Sequence, residues 1–296
     1  MLISVVIRTL NEEKYLEQLL SAIQSQDKEG FDIEIVIIDS GSTDKTLFIA
    51  KKFEARITYI NKSDFTFGRS LNYGSDFSQG DIIVYVSGHC IPTNKNWIKN
   101  IIKPIRDNIA GYVYGCQRGK DSTKYSETKI FKKYFPDESK LPQKDFFCNN
   151  ANSAIDRKIW LQYKFDEELS GLEDMDLAKR YFLNNGKIAY SAEACVYHIH
   201  DESFAQTKNR YEREAFALKS IMPEINVSMF DTFRYILAGI RKDIMDSLTD
   251  KCFLKECIGI VKFRIAQYLG TYSGNNQGSK LSLRQKESYY YPTKKL

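Results

Sequence analysis

The chain has 296 residues, 43% of them apolar and 27% charged, so it can bury a substantial core and is not a disordered chain. Its net charge of +5 is modest for that length and is not gathered into a basic and aromatic pattern, so a surface that tracks nucleic acid is not expected. Six cysteines, at 90, 116, 148, 195, 252 and 257, form no CxxC pair; free thiols in a reducing compartment account for them most simply.

Ile3 to Ile7 is a compact β-branched run that reads as a first strand. Asn11, Glu12 and Glu13 interrupt it too soon for a signal peptide or membrane span, which places the chain on the cytoplasmic side. Asn11 is expected to cap a helix whose apolar residues Leu16, Leu19, Leu20 and Ile23 recur at helical spacing. Ile33 to Ile38 reads as a second strand, ending at Asp39 in a Ser-Gly-Ser-Thr turn. A helix over 44–53, a strand over Arg56 to Ile60, a helix over 69–77 and a strand over Ile82 to Val86 follow.

Continuous apolar strands separated by helical crossovers predict a mainly parallel α/β sheet flanked by helices, with ligands gathered at the carboxyl ends of the strands. Thr9, Asn11, Asp39, Ser87, His89 and Cys90 fall at those ends. Residues 111 to 165 are less regular and read as loops around an acceptor cleft. Helical spacing resumes over 171–185, and Ile188 to Val196 offers another strand leading into the turn from Tyr197 to His200. Beyond about 203 the chain reads as helical until Gly270; Ser273 to Gly278 and the Tyr/Lys-rich end then read as a mobile tail or surface attachment. This divides the chain into residues 1–202 and a helical extension, 203–296. Lys242, Lys251, Lys255, Lys262 and Arg264 lie among apolar residues, a pattern shared by a solvated helix face and by peripheral contact with an anionic membrane.

All three histidines, His89, His198 and His200, fall at candidate strand ends. In an extended segment His198 and His200 point to one side and can address one ion or one diphosphate; partly buried structural histidines are the alternative. Glu173, Asp174 and Asp176 open a helix, where acidic residues are favourable for structural reasons alone. Asp174 becomes a general base if its carboxylate faces an acceptor hydroxyl. Arg8, Arg69 and Arg118 lie near strand ends or turns, where their forked donors suit phosphate or a surface ion pair. No GxGxxG or GxxxxGK sequence is present, which argues against dehydrogenase and ATPase chemistry.

Three segments together resemble the family 2 glycosyltransferases of the GT-A fold: Val5-Val6-Ile7-Arg8-Thr9-Leu10-Asn11-Glu12, Val36 to Thr46 with its Asp39-Ser40-Gly41-Ser42-Thr43-Asp44 core, and Gly171-Leu172-Glu173-Asp174-Met175-Asp176 onward to Arg180. The resemblance implies a Rossmann-like sheet with a helical C-terminal extension. It implies a nucleoside-diphosphate sugar as donor and a saccharide or lipid-linked saccharide as acceptor. Thr9 and Asp39 match positions that hold the base, Asp174 matches the catalytic base of inverting members with Glu173 beside it, and Arg180 matches a basic position one turn further on. Gly115-Cys116-Gln117-Arg118 resembles a Gly-x-Gln segment near the acceptor side. Asn11, Arg69, Ser87, His89, Arg118, His198 and His200 complete the expected donor site.

The departure is Ser87-Gly88-His89, where the family commonly has Asp-x-Asp. With both carboxylates absent, His89, His198 and His200 become the metal-ligand candidates; Mn2+ suits them better than Mg2+, and metal independence is the alternative. Phe67-Gly68-Arg69-Ser70-Leu71-Asn72-Tyr73-Gly74 is similar to bacterial rhamnosyltransferase-like members, which implies polysaccharide assembly such as capsule or O-antigen synthesis. A nucleotide-sugar binding protein without transfer activity and a non-enzymatic interaction module are the competing classes.

Overall fold

The structure is a computed structural model that describes residues 1–278 and 281–291. In chain order the first elements are β1 (Leu2–Thr9), α1 (Leu16–Gln24), β2 (Asp32–Asp39), α2 (Thr46–Lys52), β3 (Arg56–Tyr59), α3 (Phe67–Phe77), β4 (Ile82–Ser87), β5 (Cys90–Pro92) and α4 (Trp97–Arg106). Next come β6 (Tyr112–Arg118), α5 (Tyr125–Tyr134), β7 (Asn152–Asp156), α6 (Arg157–Tyr163), α7 (Glu173–Leu183) and β8 (Ile188–His198). Four helices follow: α8 (Phe204–Ile221), α9 (Met229–Thr249), α10 (Phe253–Asn275) and α11 (Leu283–Tyr290).

The chain forms two compact units. The first comprises Met1–Lys120, Phe131–Glu168 and Glu173–Ile199; the second comprises Asp121–Ile130, Leu169–Leu172 and the chain from His200 onward. In the first unit the strands form one sheet in the order β3-β2-β1-β4-β7-β6-β8-β5. β1 pairs in parallel with β2 and β4, β2 with β3, and β6 with β8, whereas β7 runs antiparallel to β4 and β6, and β5 antiparallel to β8. The mainly parallel sheet is therefore present, with antiparallel insertions on one side.

Both faces of this sheet are covered, which is why β1 reads as an apolar run interrupted only by Ser4 between Leu2 and Ile7. Val5 and Ile7 pack with Leu16, Leu19, Leu20 and Ile23 of α1 and Trp97, Ile98, Ile101 and Ile102 of α4. Val6 packs on the other face with Leu71 of α3, Trp160 of α6 and Leu177 and Ala178 of α7. Gly74 brings α3 against the sheet, since a Cβ there would lie 2.2 Å from Ile38 Cδ1.

Three expectations change. Residues 111–165 are not mainly loops, because they contain β6, α5, β7 and α6. Their strands carry buried Tyr, Asn and Ser side chains that find hydrogen bonds inside: Tyr112 OH donates to Asn150 Oδ1 (2.6 Å), and Asn152 Nδ2 to the carbonyls of Cys116 (2.9 Å) and Ala194 (2.8 Å). Asn11 does not cap α1, whose N-cap is Tyr15 with no side-chain cap. Asn11 instead takes φ 55°, and its side chain turns toward the loop after β2. At the C-terminal end, α10 continues past Gly270 to Asn275 and α11 follows; the part of the expected tail at 292–296 lies outside the described residues.

In the second unit, Ser203 and Gln206 form a capping box on α8, and Ser228 and Asp231 form one on α9. Asp243 of α9 and Arg264 of α10 make a buried two-point ion pair, with Nε to Oδ2 at 2.7 Å and Nη2 to Oδ1 at 2.8 Å. Arg264 Nη1 also donates to Gln267 Oε1 at 2.7 Å. Removing one partner leaves the other charge buried and unpaired. Asp243→Ala should therefore cost about 3–5 kcal/mol. Urea unfolding checks this, and a loss below about 1 kcal/mol would place the pair in the range of exposed ion pairs.

Candidate active site

The register of β1 sets Thr9 opposite Asp39 and Arg8 opposite Ser87, so three predicted site residues lie along one edge of the sheet. Asp39 is buried, and its own loop satisfies it. Oδ1 accepts from Thr9 Oγ1 (3.0 Å) and Ser42 Oγ (2.5 Å), while Oδ2 accepts from the backbone N–H groups of Gly41 and Ser42 (both 2.9 Å). Gly41, at φ +99°, permits the turn that folds these amides back onto the carboxylate.

The loops after β1 and β2 are tied together in both directions. Asn11 Oδ1 accepts from Thr43 N (2.8 Å), and Asn11 N donates to Ser42 Oγ (2.9 Å). Glu12 N donates to Thr46 Oγ1 (2.7 Å), and Lys45 N donates to Glu13 Oε2 (3.0 Å). Four donors fill the lone-pair directions of Asp39, so any further donor must take the place of a rotatable hydroxyl, either Thr9 or Ser42.

His89 follows β4 in a tight turn, where a Cβ on Gly88 would lie 2.9 Å from Glu12 Cγ. His89 Nδ1 meets Glu12 Oε1 at 3.1 Å. His198 at the end of β8 pairs in register with Cys90, which brings its ring to a stacked position 5.2 Å from that of His89. His198 Nδ1 meets Gln117 Oε1 at 2.7 Å, and Gln117 Nε2 donates to Asn149 Oδ1 at 2.8 Å. Each Nδ1 faces an acceptor oxygen, which assigns the proton to Nδ1 and the basic lone pair to Nε2. Rings oriented in this way suit metal ligation, where a carboxylate or amide behind the ligand fixes its tautomer.

The remaining predicted residues each have partners of their own. His200 belongs to the second unit, with Nδ1 2.7 Å from Glu127 Oε1, a carboxylate that also accepts from Arg210 Nη2 at 2.7 Å. Arg69 Nε donates to Glu167 Oε2 at 2.7 Å, and Glu168 lies at 3.8 Å. Arg118 Nη2 donates to Asp137 Oδ1 at 2.6 Å and its Nη1 to the Phe135 carbonyl at 2.7 Å; it lines a cavity of ≈ 290 Å³ with Cys116, Asp137 and Cys195. Arg180 joins Asp176 (2.8 Å) to the carbonyls at the end of α6. Arg69 and Arg118 thus neutralise carboxylates of this chain.

Asp174 and Glu173 are both buried in the first turn of α7. Asp174 Oδ2 accepts from Asn150 N and Oδ1 from Met175 N, both at 2.7 Å. Glu173 faces Arg8 of β1, Oε1 to Nη1 at 3.7 Å, and the Arg8 guanidinium lies 4.7 Å over the Phe67 ring. Burial pushes the Asp174 carboxyl up to about 7, assisted by the neighbouring Glu173 and opposed by the two amides and Arg8. Leu172, immediately before the pair, has φ 55°, a costly conformation for a residue with a branched side chain.

Sequence reasoning missed Glu12, Asn149 and Asn150 as partners of site residues. The run Cys148-Asn149-Asn150-Ala151-Asn152-Ser153 carried a signal, because so many short amides before a strand need buried partners.

The sequence pattern of Glycosyl transferase family 2 matches residues 4–162, more than half of the chain. The chain belongs to that family and has the GT-A fold. It is 29% identical over 230 residues to an O-antigen chain rhamnosyltransferase of Salmonella typhimurium, covering 71% of this chain and 70% of that protein. It is 30% identical over 191 residues to an O-antigen chain rhamnosyltransferase of Salmonella anatum, covering 60% of each. Its fold is similar to a mannosyltransferase of Pyrobaculum calidifontis solved with GDP-Man and Mn2+, with a TM-score of 0.65, 13% identity and coverage of 92% of this chain and 86% of that one.

A raised folded pKa means that the folded protein keeps a proton on Asp174 that the unfolded chain releases at lower pH. The resulting stabilisation is present below the ordinary aspartate range and is lost as pH rises through about 7. Asp174→Asn carries no such dependence. Thermal melts between pH 4 and pH 8 should show wild-type Tm falling relative to the variant across that window; a constant difference would contradict the assignment.

Proposed function

We propose that this chain is an inverting glycosyltransferase that moves a sugar from a nucleoside-diphosphate sugar to a hydroxyl of a glycan or lipid-linked saccharide in bacterial surface polysaccharide synthesis. The observation that carries the reading is Asp174, a buried carboxylate at the start of α7 whose proton affinity lies near neutrality. A base with a pKa near the working pH combines a useful deprotonated fraction with real proton affinity. Each of its oxygens accepts one amide N–H, which holds the carboxylate in place and leaves each oxygen a second lone-pair direction. Asp174 would take the proton of the acceptor hydroxyl as that oxygen attacks the anomeric carbon and the nucleoside diphosphate departs. Glu173, set against Arg8, is a positioning residue for this turn.

The donor base and ribose would rest on the edge formed by Thr9, Asn11 and Asp39, with Ser87 in line. His89 and His198 would face the diphosphate. If a divalent ion serves this enzyme, these histidines would hold it through nitrogen, a donor set that suits Mn2+ better than Mg2+; the ion would offset charge developing on the leaving phosphate. The deoxysugar indicated by the two rhamnosyltransferase relatives is the favoured class of donor. Work at the inner face of the plasma membrane would suit a lipid-linked acceptor. Among the described residues no helix is long and apolar enough to cross a membrane.

Asp174→Asn preserves most of the side-chain shape and removes the proton-accepting charge. Transfer should fall by ~10²–10⁴-fold in kcat with little change in donor KM. Retention of more than about a tenth of wild-type kcat under chemistry-limited conditions would remove Asp174 from the base role.

A further inference from the structure

α9 carries its polarity inside out. The residues it buries are Thr232, Asp243 and Ser247, and Gly239 on the same side approaches Arg264 and Tyr268. Its outward stripe is apolar: Phe230, Phe233, Leu237 and Leu248 recur at helical spacing, and each exposes more than half of its surface. α10 continues the pattern with Leu254 and Ile258, the former 90% exposed. An ordinary helix of a water-soluble domain shows the opposite arrangement, and contiguous exposed apolar area marks a binding surface.

The charge around this stripe selects the partner. Arg241, Lys242, Lys251 and Lys262 are exposed and have no ion-pair partner among the described residues. The acids of the same two helices are already committed: Asp243 to Arg264, Asp246 and Asp250 to Lys129, Asp231 to the Ser228 cap and Glu256 beside Lys255. An apolar stripe edged by uncompensated cations matches an anionic bilayer surface, where the apolar side chains enter the acyl boundary and the cations meet the headgroups. A second copy packed by two-fold symmetry on the same stripe would bring four like charges against these four.

We infer that the outward face of α9 and the start of α10 form a docking surface for anionic phospholipid, with the helices lying in the membrane interface. This extends the proposed function by naming the surface that would bring the enzyme to a lipid-linked acceptor.

The test is flotation of the full chain with phosphatidylethanolamine/phosphatidylglycerol vesicles and with phosphatidylcholine vesicles, without donor or acceptor. Binding to the anionic vesicles, weak binding to the neutral ones and loss of binding at high salt are expected. The pair Phe233→Ser and Leu237→Ser and the pair Arg241→Gln and Lys242→Gln should each lower the bound fraction about tenfold or more, with circular dichroism unchanged. Arg241 and Lys242 are exposed, so the charge pair keeps the test valid if the apolar pair misfolds. Equal binding to neutral vesicles, or no binding together with dimers that Phe233→Ser and Leu237→Ser dissolve in ultracentrifugation, would overturn the inference. Vesicle binding is read without substrate, so its failure is distinct from failure to transfer sugar to a soluble acceptor.

Discussion

The Asp174 carboxylate must find hydrogen bonds where water is excluded, and this requirement organises the centre of the first unit. Its partners are backbone amides: Met175 N, a first-turn donor with no helical acceptor, and Asn150 N from the segment that leads into β7. Glu173 reaches Arg8 on β1 from the same turn. The start of α7 is therefore fastened to β1 and to the approach to β7, which flank β4 in the middle of the sheet. Amides offset the burial of the carboxylate only in part, and the group keeps its proton toward neutrality.

The edge formed by Thr9 and Asp39 solves the same problem differently. Asp39 is as deeply buried as Asp174, yet four donors from its own loop and from Thr9 surround it. Asp39 is therefore surrounded by four donors, whereas Asp174 accepts from two backbone amides. The stacked His89 and His198 add a third element, oriented from behind by Glu12 and Gln117.

Much of the sheet was legible in the sequence because β1, β2 and β4 are covered on both faces and read as nearly continuous apolar runs. β6 and β7 were not legible. Their Tyr112, Tyr114, Asn152 and Ser153 lie inside, so apolar composition fails as a signal where polar side chains satisfy one another. Thr9, Asp39, Ser87, His89, Glu173 and Asp174 lie at or just beyond strand ends or at a helix start, where the sequence places them. The roles of Arg69 and Arg118 depend on Glu167 and Asp137, which lie far away in sequence, and no local pattern could reveal those pairs. The reversed polarity of α9 was hidden for a related reason: apolar spacing marks a helical face but does not say which way that face points.

The central claim is direct displacement assisted by one carboxylate, and the anomeric configuration of the product tests it most directly. Proton NMR of the first product formed from an α-linked nucleoside-diphosphate sugar of defined configuration gives the stereochemistry before any exchange. A single displacement predicts a β-linked product, and an α-linked product would contradict the account.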